Sequence, residues 1–393
     1  MGMQFNLPLY LVFGFLVVVA AWDILSEHTR PRAVVSALMG VPLVLLATFR
    51  VPGVGNDDLA YLKMLHEIPS VLECSNIYCD YSYTTFNIEF GFFMLLSMLA
   101  ALARNSYILF GVSSLVAVSL NVRSIRYFSP YFALGMLVYF THFYLAKDLN
   151  AIRLGVASGL VFLAATYLHK KQYMLLVFYL ALAMMVHVSS AIFIMPVVLY
   201  LLKPTRAVYL VLSVVLVLMA SFVDSKWLLG QMAFISFISE KIDAYLTTAK
   251  YGYALPFFDL VNIKNLFLVA AGWVWSKQLE LHYPTFRLAF CVFYCATFLR
   301  IVMGDFAILA GRGYASISMF EYVLLPMIAV HVFGKKRGFL IVAVYALGVL
   351  YMNLSSHRGG QVALKYFLTF YNLSRWAYEE YFVRVGWLGH GGR

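Results

Sequence analysis

The sequence predicts an all-α protein that passes many times through a membrane, and three observations carry the prediction. Hydrophobic residues make up 63% of the 393-residue chain. Charged residues make up only 12%, where a soluble domain holds about a quarter. Apolar runs of roughly 15–20 residues recur from end to end, each near the length that crosses a hydrocarbon core of about 30 Å. With no water in that core, each backbone amide must be bonded within its own segment, which selects helices. About 12–14 membrane helices are expected.

In chain order the runs fall at 7–22, 33–49, 88–103, 106–121, 131–146, 151–168, 173–187, 188–202, 207–223, 260–276, 286–303, 313–333 and 338–353. The first lacks the basic lead and small-residue cleavage site of a signal peptide, so it is expected to stay as a helix. Pro196 and Pro326 lie inside runs and predict kinks that neighbouring helices accommodate. Two polar insertions, 50–87 and 224–259, interrupt the pattern. Residues 1–353 therefore read as one transmembrane domain, and 354–393 as an aromatic, basic tail. No internal repeat or low-complexity tract is evident. Cys291 and Cys295 lie one turn apart in an apolar run and read as buried thiols. Cys74 and Cys79 lie in the first insertion, where a disulfide would require an oxidising compartment.

The formal charge is +11. On a soluble chain that excess would raise nucleic acid as a partner. Here it reads as loop charge on the cytoplasmic side of a bilayer. Lys170-Lys171, Lys203 with Arg206, Lys277 with Arg287, and Lys335-Lys336-Arg337 all fall on one side when segments are counted. The loops 147–152, 185–190, 224–259 and 304–312 then face outward. Insertion 50–87 joins them only if one segment between 88 and 121 does not cross fully.

Ionisable groups in or beside membrane segments are costly and need a partner or a task. Arg153, His187, Arg300, Asp305, Arg312 and Glu321 are of this kind. Arg153, His187, Asp305 and Arg312 fall at outward ends, with Glu321 about two turns beyond Arg312. A cationic, outward-open cavity is the reading. Arg153 follows Asp148 and Asn150, so it is either a snorkelling residue behind a capped helix start or a fork for phosphate. Arg312 sits between Gly311 and Gly313, which admit a ligand closely. His187 is an interfacial histidine between two short helices or a base or donor toward a sugar. Around Asp57, the run Gly53-Val54-Gly55-Asn56-Asp57-Asp58 reads as a helix cap or as a source of a catalytic carboxylate. It lacks the pattern of a dinucleotide fingerprint. Glu240 and Asp243 read as a solvated face, and Tyr245, Tyr251 and Tyr253 as anchors at the lipid surface or as platforms that stack on sugar rings. No spacing of ligands indicates a zinc or iron site.

Four places in this order resemble the EpsG-like branch of Wzy-type polysaccharide polymerases, a group that includes O-antigen polymerases. They are Val54-Gly55-Asn56-Asp57-Asp58-Leu59-Ala60-Tyr61, Phe86-Asn87-Ile88-Glu89-Phe90-Gly91-Phe92, Asn150-Ala151-Ile152-Arg153-Leu154-Gly155-Val156-Ala157 and His187-Val188-Ser189-Ser190-Ala191. Gly311-Arg312 leading to Phe320-Glu321 and Pro326 is a weaker fifth. Where the family often has Gly-Thr-Asp this chain has Gly-Asn-Asp, and register selects Asp57 over Asp58. Leu154 stands where a Gln is common.

The resemblance implies a bacterial inner-membrane, multi-pass glycosyltransferase with a GT-C-like outward-facing cavity. Its substrate would be oligosaccharide repeat units carried on undecaprenyl pyrophosphate. These would be joined into O-antigen or a related surface polysaccharide on the periplasmic face, releasing undecaprenyl pyrophosphate. A separate chain-length regulator would be a partner, beside the bilayer itself. Arg153 and Arg312 would bind pyrophosphate, and the sugar hydroxyl would lose its proton to Asp57, Glu89 or His187, with Glu321 as the alternative. No cofactor is expected; Mg²⁺ on the pyrophosphate is compatible, but no acidic cluster demands it. A flippase for the same lipid would favour repeated halves and a midplane site, and a lipid-linked glycan ligase would share the Arg and His chemistry.

Overall fold

The computed structural model describes residues 7–25, 32–55, 57–74, 81, 88–222, 254–305 and 307–355. Among these the protein is all-α, a polytopic membrane protein with no strand. In chain order the helices are α1 (Leu7–Leu25), α2 (Arg32–Thr48), α3 (Asp58–Glu67), α4 (Phe90–Leu102), α5 (Ser106–Phe128), α6 (Phe132–Val138), α7 (Ile152–His169) and α8 (Tyr173–Val186). Then follow α9 (Ile194–Leu202), α10 (Arg206–Phe222), α11 (Leu260–Val274), α12 (Ser276–His282), α13 (Phe286–Val302), α14 (Ala307–Ile317) and α15 (Glu321–Ser355).

Helices that are apolar all round belong in the interior. α7 buries fifteen of its eighteen residues and packs against α5 and α8. α13 is buried along nearly its whole length and carries Cys291 and Cys295 as buried thiols, in line with the sequence. α10 is the opposite case. Only Tyr209 is buried, and Leu210, Val211, Val214 and Leu218 lie open on the surface. So large an apolar face is stable against lipid rather than water.

Four helical stretches among the described residues are long and apolar enough to cross a bilayer: Leu7–Leu25, Ser106–Phe128, Ile152–His169 and Ala310–Ser355. The other spans of the expected 12–14 correspond to shorter helices. Local breaks account for this. The run at 131–146 is α6 followed by a π-helix, Tyr139–Asp148. The run at 188–202 opens as a 3₁₀ turn, Val188–Phe193, before α9. Such irregular backbone survives at membrane depth where protein surrounds it. α4 has thirteen residues, about 20 Å of helix, shorter than a hydrocarbon core of about 30 Å.

The run at 313–333 is also interrupted. α14 ends at Ile317, a 3₁₀ turn covers Ser318–Phe320, and Glu321 opens α15. Arg312 and Glu321 therefore do not share one helix, contrary to the sequence reading. α15 itself breaks at Gly334, where φ is +75°. Only glycine holds that conformation without strain, and it divides the helix where the basic loop was expected.

The first insertion folds back on the helices. Tyr61, Leu62 and Leu65 of α3 bury against Phe92, Phe93 and Leu96 of α4, forming a satellite core. Arg104 donates to the Leu65, His66 and Ile68 carbonyls and pairs with Glu73 at 2.8 Å, closing the end of α3. The Ser70 amide, helped by Arg104, holds the Glu73 carboxyl below its ordinary range.

At the start of α3 a buried fork fixes the loop. Arg50 reaches Asp58 through Nη2 at 2.8 Å and Nε at 3.2 Å, and the Gly55 amide donates to the same carboxylate at 2.8 Å. Both charged side chains are wholly buried. The guanidinium stacks 3.7 Å from the Phe110 ring centroid. Gly55 is pressed so closely on Leu149 that a Cβ would lie 2.3 Å from the Leu149 carbonyl oxygen. Arg50→Ala strands a buried carboxylate and is expected to cost about 3–5 kcal/mol, read as a lower unfolding midpoint of the protein in detergent. An unchanged midpoint would show that the loop does not depend on this fork.

Candidate functional site

The fork settles which of two neighbouring acids is available. Asp58 is consumed in it, while Asp57 is exposed and its side chain makes no capping bond to α3. One turn on, Tyr61 is buried, with the Arg153 guanidinium 5.9 Å from its ring centroid. Burial pushes its phenol up, against the charges of Arg153 and Arg312, and Asp57 acts on the same hydroxyl. Asp57, Tyr61, Arg153 and Arg312 thus share one electrostatic neighbourhood although they come from three distant parts of the chain.

Glu89 joins that neighbourhood to the His187 turn. Its Oε2 accepts Arg153 Nη1 at 3.0 Å, and its Oε1 accepts the Val188 amide at 3.2 Å. Arg153 also lies 5.6 Å from the Phe92 ring centroid and 5.9 Å from that of Tyr61. Its Nε is buried without a hydrogen-bond partner among the described residues. A guanidinium donor left unsatisfied in such surroundings is costly, and it is the kind of group that an incoming phosphate oxygen satisfies.

His187 ends α8. Its Nδ1 accepts the Ser189 amide at 3.2 Å and lies 2.8 Å from Ser189 Oγ. A neutral ring held this way carries its proton on Nε2. Ser189 Oγ lies 2.6 Å from Ser316 Oγ, and Ser316 donates to the Arg312 carbonyl at 2.9 Å. Two hydroxyls therefore tie His187 to the helix that carries Arg312. The cluster is less cationic than the sequence reading expected, because Asp57 and Glu89 offset Arg153 and Arg312.

Glu321 stands apart. It is fully buried, and its carboxylate takes four donors: His142 at 3.1 Å and Tyr345 on Oε1, Lys264 at 2.5 Å and Tyr314 at 3.3 Å on Oε2. Two donors on each oxygen fill the acceptor capacity of a carboxylate. Arg300 belongs to the same region. It pairs with Asp259, bonds Asn262 at 3.0 Å and lies 5.5 Å from the Tyr314 ring centroid. Asp305 lies in the turn before α14. Lys264 and His142 were missed, although each is an ionisable group inside an apolar run and so carried the signal applied elsewhere. Tyr61, Ser189 and Ser316 carried no such signal.

Glu240, Asp243, Tyr245, Tyr251, Tyr253 and Cys79 lie outside the described residues, as does the tail after Ser355. Among the described residues no three His, Cys, Asp or Glu side chains converge as a metal site.

The family profile that matches this chain spans residues 34–368, taking in the loop of Asp57, the Glu89–Arg153 pair, the His187 turn and α14. The chain belongs to the EpsG family. Among curated proteins it is similar to the amylovoran biosynthesis protein AmsC of Erwinia amylovora, at 23% identity over 279 residues, covering 70% of this chain and 73% of that protein. No solved structure matches it.

In this EpsG-family chain the two polar clusters separate by a simple test. Glu321→Ala leaves Lys264 buried without its carboxylate and is expected to lower the unfolding midpoint sharply. Adding Lys264→Met removes the stranded charge and is expected to recover part of the loss. Additive losses in the double variant would show that the pair is not coupled.

Proposed function

We propose that the protein is a membrane-embedded polysaccharide polymerase of the glycosyltransferase type. EpsG-family membership and the amylovoran relative support the coarser statement, that it builds a surface polysaccharide in a membrane. The finer reading is that it joins oligosaccharide repeat units carried on undecaprenyl pyrophosphate, in a GT-C-like cavity on the outer face of the bacterial inner membrane. A chain-length regulator would act beside it.

The observation that carries the chemistry is Arg153 held by Glu89 beside the rings of Tyr61 and Phe92, with its Nε unpartnered among the described residues, the exposed Asp57 one turn before Tyr61, and Arg312 tied to the His187 turn through Ser316 and Ser189. In the proposed step the hydroxyl of the acceptor sugar attacks the anomeric carbon of the donor chain. The C–O bond to pyrophosphate breaks and its electron pair leaves with the lipid pyrophosphate. The hydroxyl proton passes to a base, and Asp57, exposed and uncapped, is the carboxylate best suited to take it. Glu89 holds Arg153 in place, and His187, held by Ser189, orients sugar by hydrogen bonding. Two arginines and two carboxylates balance before the reaction. Protonating Asp57 makes the site net positive as the leaving group gains its charge, so the field strengthens when it is needed.

Purified protein given a lipid-pyrophosphate repeat unit from its own host is expected to produce a ladder of glycan lengths. Arg153→Ala and Arg312→Ala are each expected to slow it by about 10²–10³-fold, with Arg→Lys retaining part of the activity. His187→Ala is expected to slow it less. A single addition to a different lipid acceptor would indicate a ligase. No ladder, with lipid moving across vesicles instead, would replace the polymerase reading with transport. A ladder unchanged in all three alanine variants would keep the function and remove these residues from it.

A further inference from the structure

α7 carries Arg153 at one end and meets Lys170 at the other, roughly 26 Å along the helix. At the Lys170 end a groove of about 640 Å³ runs between α2 and α5. Ala37, Gly40 and Val44 of α2 form one wall, and Leu115, Val118 and Val122 of α5 the other. Three cations close it at one end: Arg123, Arg126 and Lys170. All three are exposed, and none forms an ion pair with a carboxylate among the described residues. Asp23 lines an adjoining cavity of about 480 Å³ that shares Arg126 and Tyr127, and not this groove.

Elsewhere in the protein the buried Arg50 and the partly buried Lys264 pair with acids; among the described residues these cations do not. Arg123 and Arg126 stand three apart on one helix and so share a face. Lys170 stacks on the Tyr127 ring at 4.9 Å, which sets its ammonium beside them. From Leu115 to Arg126 the groove is about 16 Å long, which is half of a hydrocarbon core of about 30 Å. An apolar slot one leaflet deep, closed at the headgroup level by positive charge that has no acid partner among the described residues, matches a lipid with an anionic headgroup. A free phosphate would use the cations and leave the slot unexplained.

We propose that this groove is a binding site for an anionic phospholipid of the leaflet opposite the Arg153 cluster, with an acyl chain between α2 and α5 and its phosphate on Arg123, Arg126 and Lys170. The occupant is a membrane lipid distinct from the reaction's substrate, so the site stands whether or not the polymerase reading does.

The test is native mass spectrometry of the full chain in detergent, titrated with phosphatidylglycerol, with phosphatidylcholine of the same chains, and with glycerol phosphate. Wild type is expected to prefer phosphatidylglycerol. Each of Arg123→Gln, Arg126→Gln and Lys170→Gln is expected to weaken that lipid about fivefold, the factor that goes with one basic residue at an anionic surface. Arg126→Lys is expected to keep the preference. Ala37→Phe fills the slot and is expected to weaken both lipids alike. These side chains are exposed, so unfolding midpoints in lipid-free detergent serve as the control for folding. Equal affinity for the two lipids in wild type would overturn the proposal. So would a triple Gln variant that keeps the preference, or glycerol phosphate binding as well as the whole lipid.

Discussion

A charge held among apolar helices costs several kcal/mol unless a partner of opposite sign and enough hydrogen bonds meet it, and this constraint organises the protein's interior. Asp58 is met by a two-pronged Arg50 and the Gly55 amide. Glu321 is met by Lys264, His142 and two tyrosines. Arg153 is met less completely. Glu89 takes one nitrogen, and Nε has no partner among the described residues. The first two centres are satisfied and read as structure. The third is short of one acceptor and reads as a place where something else binds.

The polar centres coincide with departures from the α-helix. The π-helix carries His142 to Glu321. The 3₁₀ turn at Val188–Phe193 frees the Val188 amide to reach Glu89. The 3₁₀ turn at Ser318–Phe320 separates Glu321 from the helix of Arg312, and Glu321 lies in the interior. A regular helix spends its amides on its own carbonyls. Breaking it releases donors and re-aims side chains, and the breaks are tolerated because neighbouring helices enclose them.

This explains what was legible in the sequence and what was not. Apolar run length reveals the helices and nearly all their limits, because lipid imposes it on each segment separately. Arg153 and His187 were legible as costly groups at helix ends, Asp57 as a cap or a catalytic carboxylate, and Glu89 through the family resemblance. Their convergence was not, since it depends on α3 folding back over α4 and on Gly55 lying against Leu149, contacts between segments far apart in the chain. Lys264 and His142 were legible by the same cost and passed over, and the breaks that divide 131–146 and 313–333 leave no mark in hydropathy. Glu321 was expected about two turns beyond Arg312 on one helix, and the 3₁₀ turn at Ser318–Phe320 separates the two.

α7 shows how one helix serves two kinds of charge. At its Arg153 end the cation is enclosed by Tyr61, Phe92 and Glu89, where a low dielectric makes each interaction strong and each omission costly. At its Lys170 end the cation is exposed, beside Arg123 and Arg126, where water lowers the cost of leaving it without an acid. Enclosed charge can hold a developing negative charge in place during a reaction. Exposed charge cannot, but it can hold a headgroup and fix how the helix sits in its leaflet. In the roles proposed for them, the depth of burial, more than the type of residue, separates the cation suited to chemistry from those suited to anchorage.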